Sequence, residues 1–472
     1  MTQQEPGPQQ IPASQPHTGR HAGAYTLGGM NAAQRTEFWA SLALRHTARL
    51  GPRTWKRLLE EYPSPYAAVL DAAHWVRRCG IAARLVSEFR SERWRGPARL
   101  EWETAGAGGW RVLLWTDARY PQRLREIADP PIFLYYEGDA GLLSNPGVGV
   151  VGSRSCSRDG IATTRELCRR LSVSGVTTVS GLARGIDSEA HRAALAGWGS
   201  TIAVLGTGPD CVYPPENAQL HAAIREGGLI LSEFAPGTMP EARNFPMRNR
   251  IISGLSLGVL VVEAAKRSGS LITAKHALEQ GREVFAVPGS VRARTSSGCH
   301  DLIRQGAKAV FCCDDVLVEI APLLGMSITD WPAPGEACRN GRDDSLDDSL
   351  DDARDEAGDE AEAVSVPARR PGGRAARRGP GSGDVGGNAF QGVPGARREV
   401  RKDAGQGAPC TDDMTPDEKL AYELLATCES LHIDELCRSL SWQAGKASGV
   451  LLMLEVQGAV RQLPGMHYSV TL

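Results

Sequence analysis

Phosphate is the ligand for which this sequence is best equipped. Gly152-Ser153-Arg154, Gly181-Leu182-Ala183-Arg184-Gly185-Ile186-Asp187 and Gly206-Thr207-Gly208 each join small residues to a polar or cationic group. Small side chains let backbone N–H groups approach an anion, and Arg154 and Arg184 can each grip a phosphate through two parallel hydrogen bonds. Phe245-Pro246-Met247-Arg248-Asn249-Arg250 places two arginines and an amide in what reads as the first turn of a helix. Cations there oppose the helix dipole at a cost of about 0.3 to 1 kcal/mol unless an anion lies nearby, so a binding role for Arg248, Asn249 and Arg250 is favoured over a structural ion pair. Ser268-Gly269-Ser270 offers hydroxyls and N–H groups at another helix start, with Lys275 one turn further on.

Buried strands position these loops. Apolar runs at Gly147 to Val151, Thr177 to Ser180, Thr201 to Leu205, Leu229 to Ser232, Gly258 to Val262, Glu283 to Val287 and Ala309 to Cys312 alternate with helical stretches such as Asp159 to Ser174 and Ser270 to Gln280. Val, Ile and Leu runs flanked by glycine read as strands covered on both faces, so residues 106–325 predict an α/β, Rossmann-like, doubly wound parallel sheet. Ligands of such sheets bind at the C-terminal strand ends, which is where the loops above fall.

Other motif matches lose weight on context. Gly147-x-Gly149-x-x-Gly152 fits a dinucleotide fingerprint, but its first two glycines lie inside the expected strand. Gly254-x-Ser256-x-Gly258 fits a nucleophile elbow, yet here a helix precedes and a strand follows. Asp187 and His191 share a helix face and could hold a metal; Asp187 as an N-cap with His191 packed beside it is preferred. No GxxxxGK[ST] or HExxH occurs, and none of the 11 cysteines forms a CxxC pair. The expectation is no metal, no cofactor and no catalytic residue.

The 472 residues exceed one domain at roughly 100 to 200 residues each. Residues 1–30 are polar and read as unstructured. Residues 31–105 read as short helices, Ala32 to Leu50, Pro52 to Tyr62, Pro65 to Cys79 and Ile81 to Trp94, with a net charge of +5. A nucleic-acid backbone binder and a packing module fit this domain equally. Residues 326–412 join an acidic tetrad repeat, Asp343 to Glu362, to an Arg, Gly and Pro-rich stretch, and read as a disordered tether whose acidic part could shield a basic groove. Residues 413–472 suit a winged helix, with helices at Pro416 to Thr427, Ile433 to Leu440 and Trp442 to Gln457 before two strands. Its net charge of −4, with Lys446 the one base on the third helix, favours a protein contact over duplex DNA. The absence of a long apolar run or signal core predicts a cytoplasmic protein without a membrane partner.

Taken in order, VVGSR, SGLARGID..AH, TIAVLGTG.D..YP.EN, SE..PG, FP.RNRIISGLS, VVEA...SGSLITA..ALE.GREVFAVPG and LI.QGA closely resemble the DNA-processing protein A (DprA/Smf) family over roughly residues 118–310. Tyr120-Pro121, Leu124, Ile127 and Asp129-Pro130-Pro131 extend the match. The resemblance implies a Rossmann-like domain between a small sterile-alpha-motif-like domain and a winged helix. It also implies a non-enzymatic role: binding and protecting incoming single-stranded DNA in natural transformation and loading the strand-exchange recombinase, as a homodimer. Arg154 is carried over first as a phosphate contact; Arg184, Arg248, Asn249, Arg250 and Lys275 follow. Tyr213 and Phe245 lie in loops suited to base stacking, although core packing is preferred for both.

Two positions depart from the family. Pro215 stands where some relatives carry a basic residue, and Gly298-Cys299-His300-Asp301 precedes Leu302-Ile303 where the family usually shows Gly-x-Asn, so no Asn role passes to His300. The alternative is a nucleotide-processing enzyme akin to phosphoribohydrolases, using the same phosphate loops. Their PGGxGTxxE signature is absent, and Glu279 is too far from the Ser268 loop to replace its glutamate.

Overall fold

The computed structural model describes residues 27–327, 414–456, 459–463 and 466–471. Among them no helix is long and apolar enough to cross a membrane. The acidic and basic stretches expected within 326–412 fall outside these residues, apart from 326 and 327. So do residues 1–26, whereas Leu27–Gly29 forms a turn of 3-10 helix with Leu27 and Met30 buried.

The N-terminal helices are α1 (Ala32–His46), α2 (Pro52–Glu61), α3 (Pro65–Leu70), α4 (Trp75–Cys79), α5 (Ala83–Arg90) and α6 (Arg95–Gly108). Asn31 and Gln34 form a reciprocal capping box at the start of α1, which satisfies two of its free N–H groups. α6 crosses the boundary expected at residue 105, and the packing explains why. Phe38 of α1 stacks on Trp102 of α6 and meets Phe133 edge-on at 5.1 Å. The carboxylate of Glu101, 5 % exposed, accepts from the Tyr135 hydroxyl and pairs with Arg45 and His46, so the helices share one core with the first strands of the sheet.

Those strands are β1 (Arg111–Leu114) and, after helix α7 (Gln122–Glu126), β2 (Phe133–Gly138). The chain continues through β3 (Gly147–Gly152), α8 (Arg158–Val173), β4 (Thr177–Ser180), α9 (Ile186–Ala194), β5 (Thr201–Leu205), α10 (Ala218–Gly227) and β6 (Leu229–Ser232). It closes with α11 (Asn244–Leu255), β7 (Gly258–Val262), α12 (Ser270–Glu279), β8 (Glu283–Ala286), α13 (Ser297–Arg304), β9 (Lys308–Ala309) and α14 (Cys313–Ile320). The nine strands lie in the order β1, β2, β6, β5, β4, β3, β7, β8, β9. All pairs from β6 to β9 are parallel, as the apolar runs predict; β2 joins β6 antiparallel and β1 joins β2 antiparallel, making the sheet mixed.

β3 is flanked by β4 and β7. From β3 the chain passes through α8 to β4, and from β7 through α12 to β8, in opposite directions across the sheet. The loops leaving β3 and β7 therefore diverge and open a crevice between them. The C-terminal residues form α15 (Pro416–Ala426), β10 (Leu431–His432), α16 (Ile433–Leu440), α17 (Ala444–Val456), β11 (Val460–Leu463) and β12 (His467–Val470), a winged helix with strand order β10, β12, β11.

Candidate nucleic-acid interface

The crevice at the diverging loops has a volume of about 530 Å³. It gathers Gly152 at the end of β3 with Ser153 and Arg154 after it, Arg248 and Asn249 of α11, and Ser268, Gly269 and Ser270 at the start of α12. Two glycines hold the floor in place. A Cβ on Gly152 would lie 1.9 Å from the Val262 carbonyl oxygen, so only glycine lets the ends of β3 and β7 approach this closely. Gly185 has φ +75°, and a Cβ there would meet the Ser153 carbonyl oxygen at 2.3 Å. Gly185 thus supports the Arg154 loop from beneath, while Gly181 makes room for the Arg248 guanidinium, 2.5 Å from where its Cβ would lie, and neither glycine lines the crevice.

The expected cations divide into three kinds. Arg154 is exposed, makes no ion pair with the described residues, and lies over the Phe245 ring at 5.7 Å. Arg248 is 4 % exposed. Its Nη1 donates to the carbonyls of Gly181, at 2.6 Å, and Val204, and its Nε donates to Asn249 Oδ1. Burial, reinforced by the like charge of Arg154, pushes its guanidinium down to about 10, while Asp187 opposes that shift. Arg248 is therefore a positioning residue with one edge on the crevice. Arg250 does not line the crevice: its Nη2 donates to both oxygens of Glu233 at 2.6 and 2.5 Å, a structural ion pair in place of the binding role favoured from the sequence. The helix begins at Asn244, so Arg248, Asn249 and Arg250 sit in its second turn, where the dipole argument loses its force. Arg184 pairs with Glu216, and exposed Lys275 lies 3.7 Å from Glu279; both stand outside the crevice lining.

Two groups complete the site. Arg267, exposed and without an ion pair to the described residues, lines the crevice just before Ser268. Its position beside the Ser-Gly-Ser loop was the available sequence signal. Phe245 also lines it, half-buried, with Tyr213 tilted against it at 5.6 Å. Phe245 is thus an aromatic surface of the crevice, where the sequence reading preferred core packing.

The carboxylates nearby are already engaged. Glu263 accepts from the backbone N–H and hydroxyl of Ser157, tying the β7 loop to the start of α8. Asp187 lies inside α9, whose N-cap is Gly185, and accepts from the N–H groups of Gly181 and Ala183. Burial raises its carboxyl despite Arg248. Ser256 is fully buried and donates to the Ile252 carbonyl, and β3 runs through Gly152, so the elbow and dinucleotide matches are backbone features.

His191 buttresses the same loop. Its Nε2 accepts from the Leu182 N–H, so Nδ1 carries the proton and donates to Thr201 Oγ1. Complete burial, with help from Arg248 and Arg192, pushes its pKa down to about 3. The unfolded chain takes up a proton near pH 6.5 while the folded one refuses it until about pH 3. Stability is therefore lost as pH falls through that window, by up to about 1.4 kcal/mol per unit from this group. Urea unfolding of wild type and His191→Gln between pH 7 and 4 checks it: the variant should show the shallower decline, and parallel curves would refute the assignment.

Comparison with known proteins agrees with this fold. Residues 111–321 match the family described as DNA recombination-mediator protein A, and residues 408–466 match the DprA winged helix domain. The chain is 51% identical over 203 residues to the DNA processing protein DprA of Streptococcus pneumoniae, covering 43% of this chain and 72% of that protein. It is 36% identical over 361 residues to the protein Smf of Synechocystis, covering 75% and 78%. The X-ray structure of the Streptococcus pneumoniae DNA processing protein A superposes with a TM-score of 0.52 at 39% identity, over 60% of this chain and 97% of that one.

Proposed function

Because the chain belongs to the DNA-processing protein A (DprA/Smf) family, we propose that its crevice binds single-stranded DNA and that the protein mediates recombination during natural transformation. The observation that carries this reading is the grouping in one crevice of Arg154 and Arg267, neither ion-paired to a described residue, with the half-exposed face of Phe245. Cations follow the phosphates, and a ring accepts any base by stacking, which a duplex with paired, stacked bases cannot offer. Arg154, Ser153 and the hydroxyls of Ser268 and Ser270 then contact phosphate, and Arg248 holds the loops that carry them. Protection of incoming strands, loading of the strand-exchange recombinase, assembly as a homodimer and a cytoplasmic location complete the proposal.

The engaged states of Glu263 and Asp187 support a binding role over catalysis: Glu263 is held by Ser157, and Asp187, although it lines the crevice, is occupied by the Gly181 and Ala183 N–H groups. The test is anisotropy of a labelled oligo-dT strand and a matched duplex at two salt concentrations. Salt-sensitive binding that favours the single strand is expected. Preference for duplex would move the DNA site elsewhere, and release of base from nucleoside monophosphates, abolished by Glu263→Gln, would make the crevice a nucleotide-processing centre.

A further inference from the structure

The winged helix makes its most specific contacts with its own chain. α17 occupies the position of the recognition helix in such domains, the helix that would enter a DNA groove. Here Gly449 of α17 is buried against Leu70 of α3, so closely that a Cβ would lie 2.3 Å from a Leu70 methyl. One turn on, Met453 is 2 % exposed and belongs to the core shared by α1, α6 and the sheet. Glu455 then receives a hydrogen bond from Arg95 Nη1 at 3.0 Å, while Arg95 Nη2 holds Glu92. On the flank, Tyr66 of α3 is largely buried, and its phenol is pushed up by burial and then by Glu418 and Asp417 of α15. Lys446, the base that α17 could offer to phosphate, has its Nζ 2.8 Å from Asp417 and over the Trp442 ring.

Net charge points the same way. Residues 31–105 carry +5 and residues 413–472 carry −4, so the two domains attract each other, and the second repels a polyanion. Beside the seam, an open pocket of about 510 Å³ is lined by Leu27, Arg35 and Trp102 of the N-terminal helices, with Met453 the winged helix's contribution to it.

We infer that the winged helix is an intramolecular docking module, whose recognition helix is occupied by the chain's own N-terminal helical domain and takes no part in reading duplex DNA. The occupant is α3 with Arg95: Leu70 enters the gap left by Gly449, and Arg95 clamps Glu455. The basic helical domain is thereby also a docking module.

Hydrogen exchange on the full-length protein tests this. Glu455→Arg turns the clamp into a repulsion and should speed exchange of α3 and α17 amides about tenfold, with α16 unchanged as the sign that the winged helix stays folded. Adding Arg95→Glu restores the opposite charges and should restore the protection. Gly449→Leu, which fills the Leu70 site, should act like Glu455→Arg through sterics alone. Protection lost on dilution of the wild type would show that the docked partner is a second copy and overturn the intramolecular assignment. Unchanged α3 and α17 exchange in both variants would overturn the docking itself. Lys446→Ala should leave oligo-dT and duplex affinities within about twofold of wild type, and a tenfold fall in duplex affinity would overturn the occupied state of α17.

Discussion

Glu233→Ala is expected to destabilise the fold by about 3 to 5 kcal/mol, because it strands a buried guanidinium. The Arg250 side chain is 4 % exposed and Glu233 supplies both of its short hydrogen bonds. Asp129 is the remaining carboxylate within reach, 3.8 Å from Nε and itself partly solvated. Nη1 has no hydrogen-bond partner among the described residues, so the arginine has little to fall back on. Burying a charge is costly, and the cost is met only while the pair is intact. Replacing both residues, Glu233→Leu with Arg250→Met, should recover most of the loss, since an apolar pair of similar volume escapes the desolvation penalty. Urea unfolding of the two single variants and the double variant closes the cycle. A loss below about 1 kcal/mol in Glu233→Ala would mean that Arg250 is not pinned, and would return it to the list of DNA contacts.

This pair also marks where the sequence stops being legible. Arg248, Asn249 and Arg250 are adjacent in sequence, and adjacency suggested a common role. On a helix, residues two apart do not share a face. Arg248 therefore turns toward Gly181 and the crevice, and Arg250 turns toward Glu233, 17 positions upstream, a pairing that only the folded sheet creates. The strands were readable for the opposite reason. Thr177–Ser180, Thr201–Leu205, Leu229–Ser232 and Gly258–Val262 match the apolar runs residue for residue, because a strand buried on both faces must be apolar throughout. β1 and β2 carry apolar runs of their own, Val112 to Leu114 and Phe133 to Tyr136, but what no run reveals is their antiparallel pairing to each other and to β6, which only the folded sheet creates. α6 escaped because Gly96, Pro97, Gly106 and Gly108 read as breakers, while Trp102 and Glu101 anchor the helix through tertiary contacts. In the crevice, glycines, serines and Arg154 announced themselves by type and position. The Glu216 pair that withdraws Arg184 is visible only in three dimensions, whereas Lys275 and Glu279 sit four apart on one helix, a pairing the spacing alone could have shown.

Arg154→Ala should weaken binding of an oligo-dT strand about tenfold at moderate salt and lower the slope of log affinity against log salt by about 0.7, the signature of one lost phosphate on a single strand. Arg267→Ala should reproduce both effects, since it is the other cation of the crevice that no described carboxylate neutralises. Arg184→Ala and Lys275→Ala should do less, because Glu216 and Glu279 already offset their charges. Phe245→Leu separates stacking from charge. It removes the ring beneath Arg154 and beside Tyr213, so affinity should fall by about 1 to 3 kcal/mol while the salt slope stays near wild type. That split between affinity and slope is what a purely structural role for Phe245 would not produce, since a collapsed crevice would displace Arg154 and flatten the slope as well. Anisotropy titrations of the five variants at four salt concentrations, with urea unfolding to confirm each fold, decide among these outcomes. Arg154→Ala and Arg267→Ala with wild-type affinity and slope would remove the crevice from the path of the DNA, whatever the rest of the chain binds.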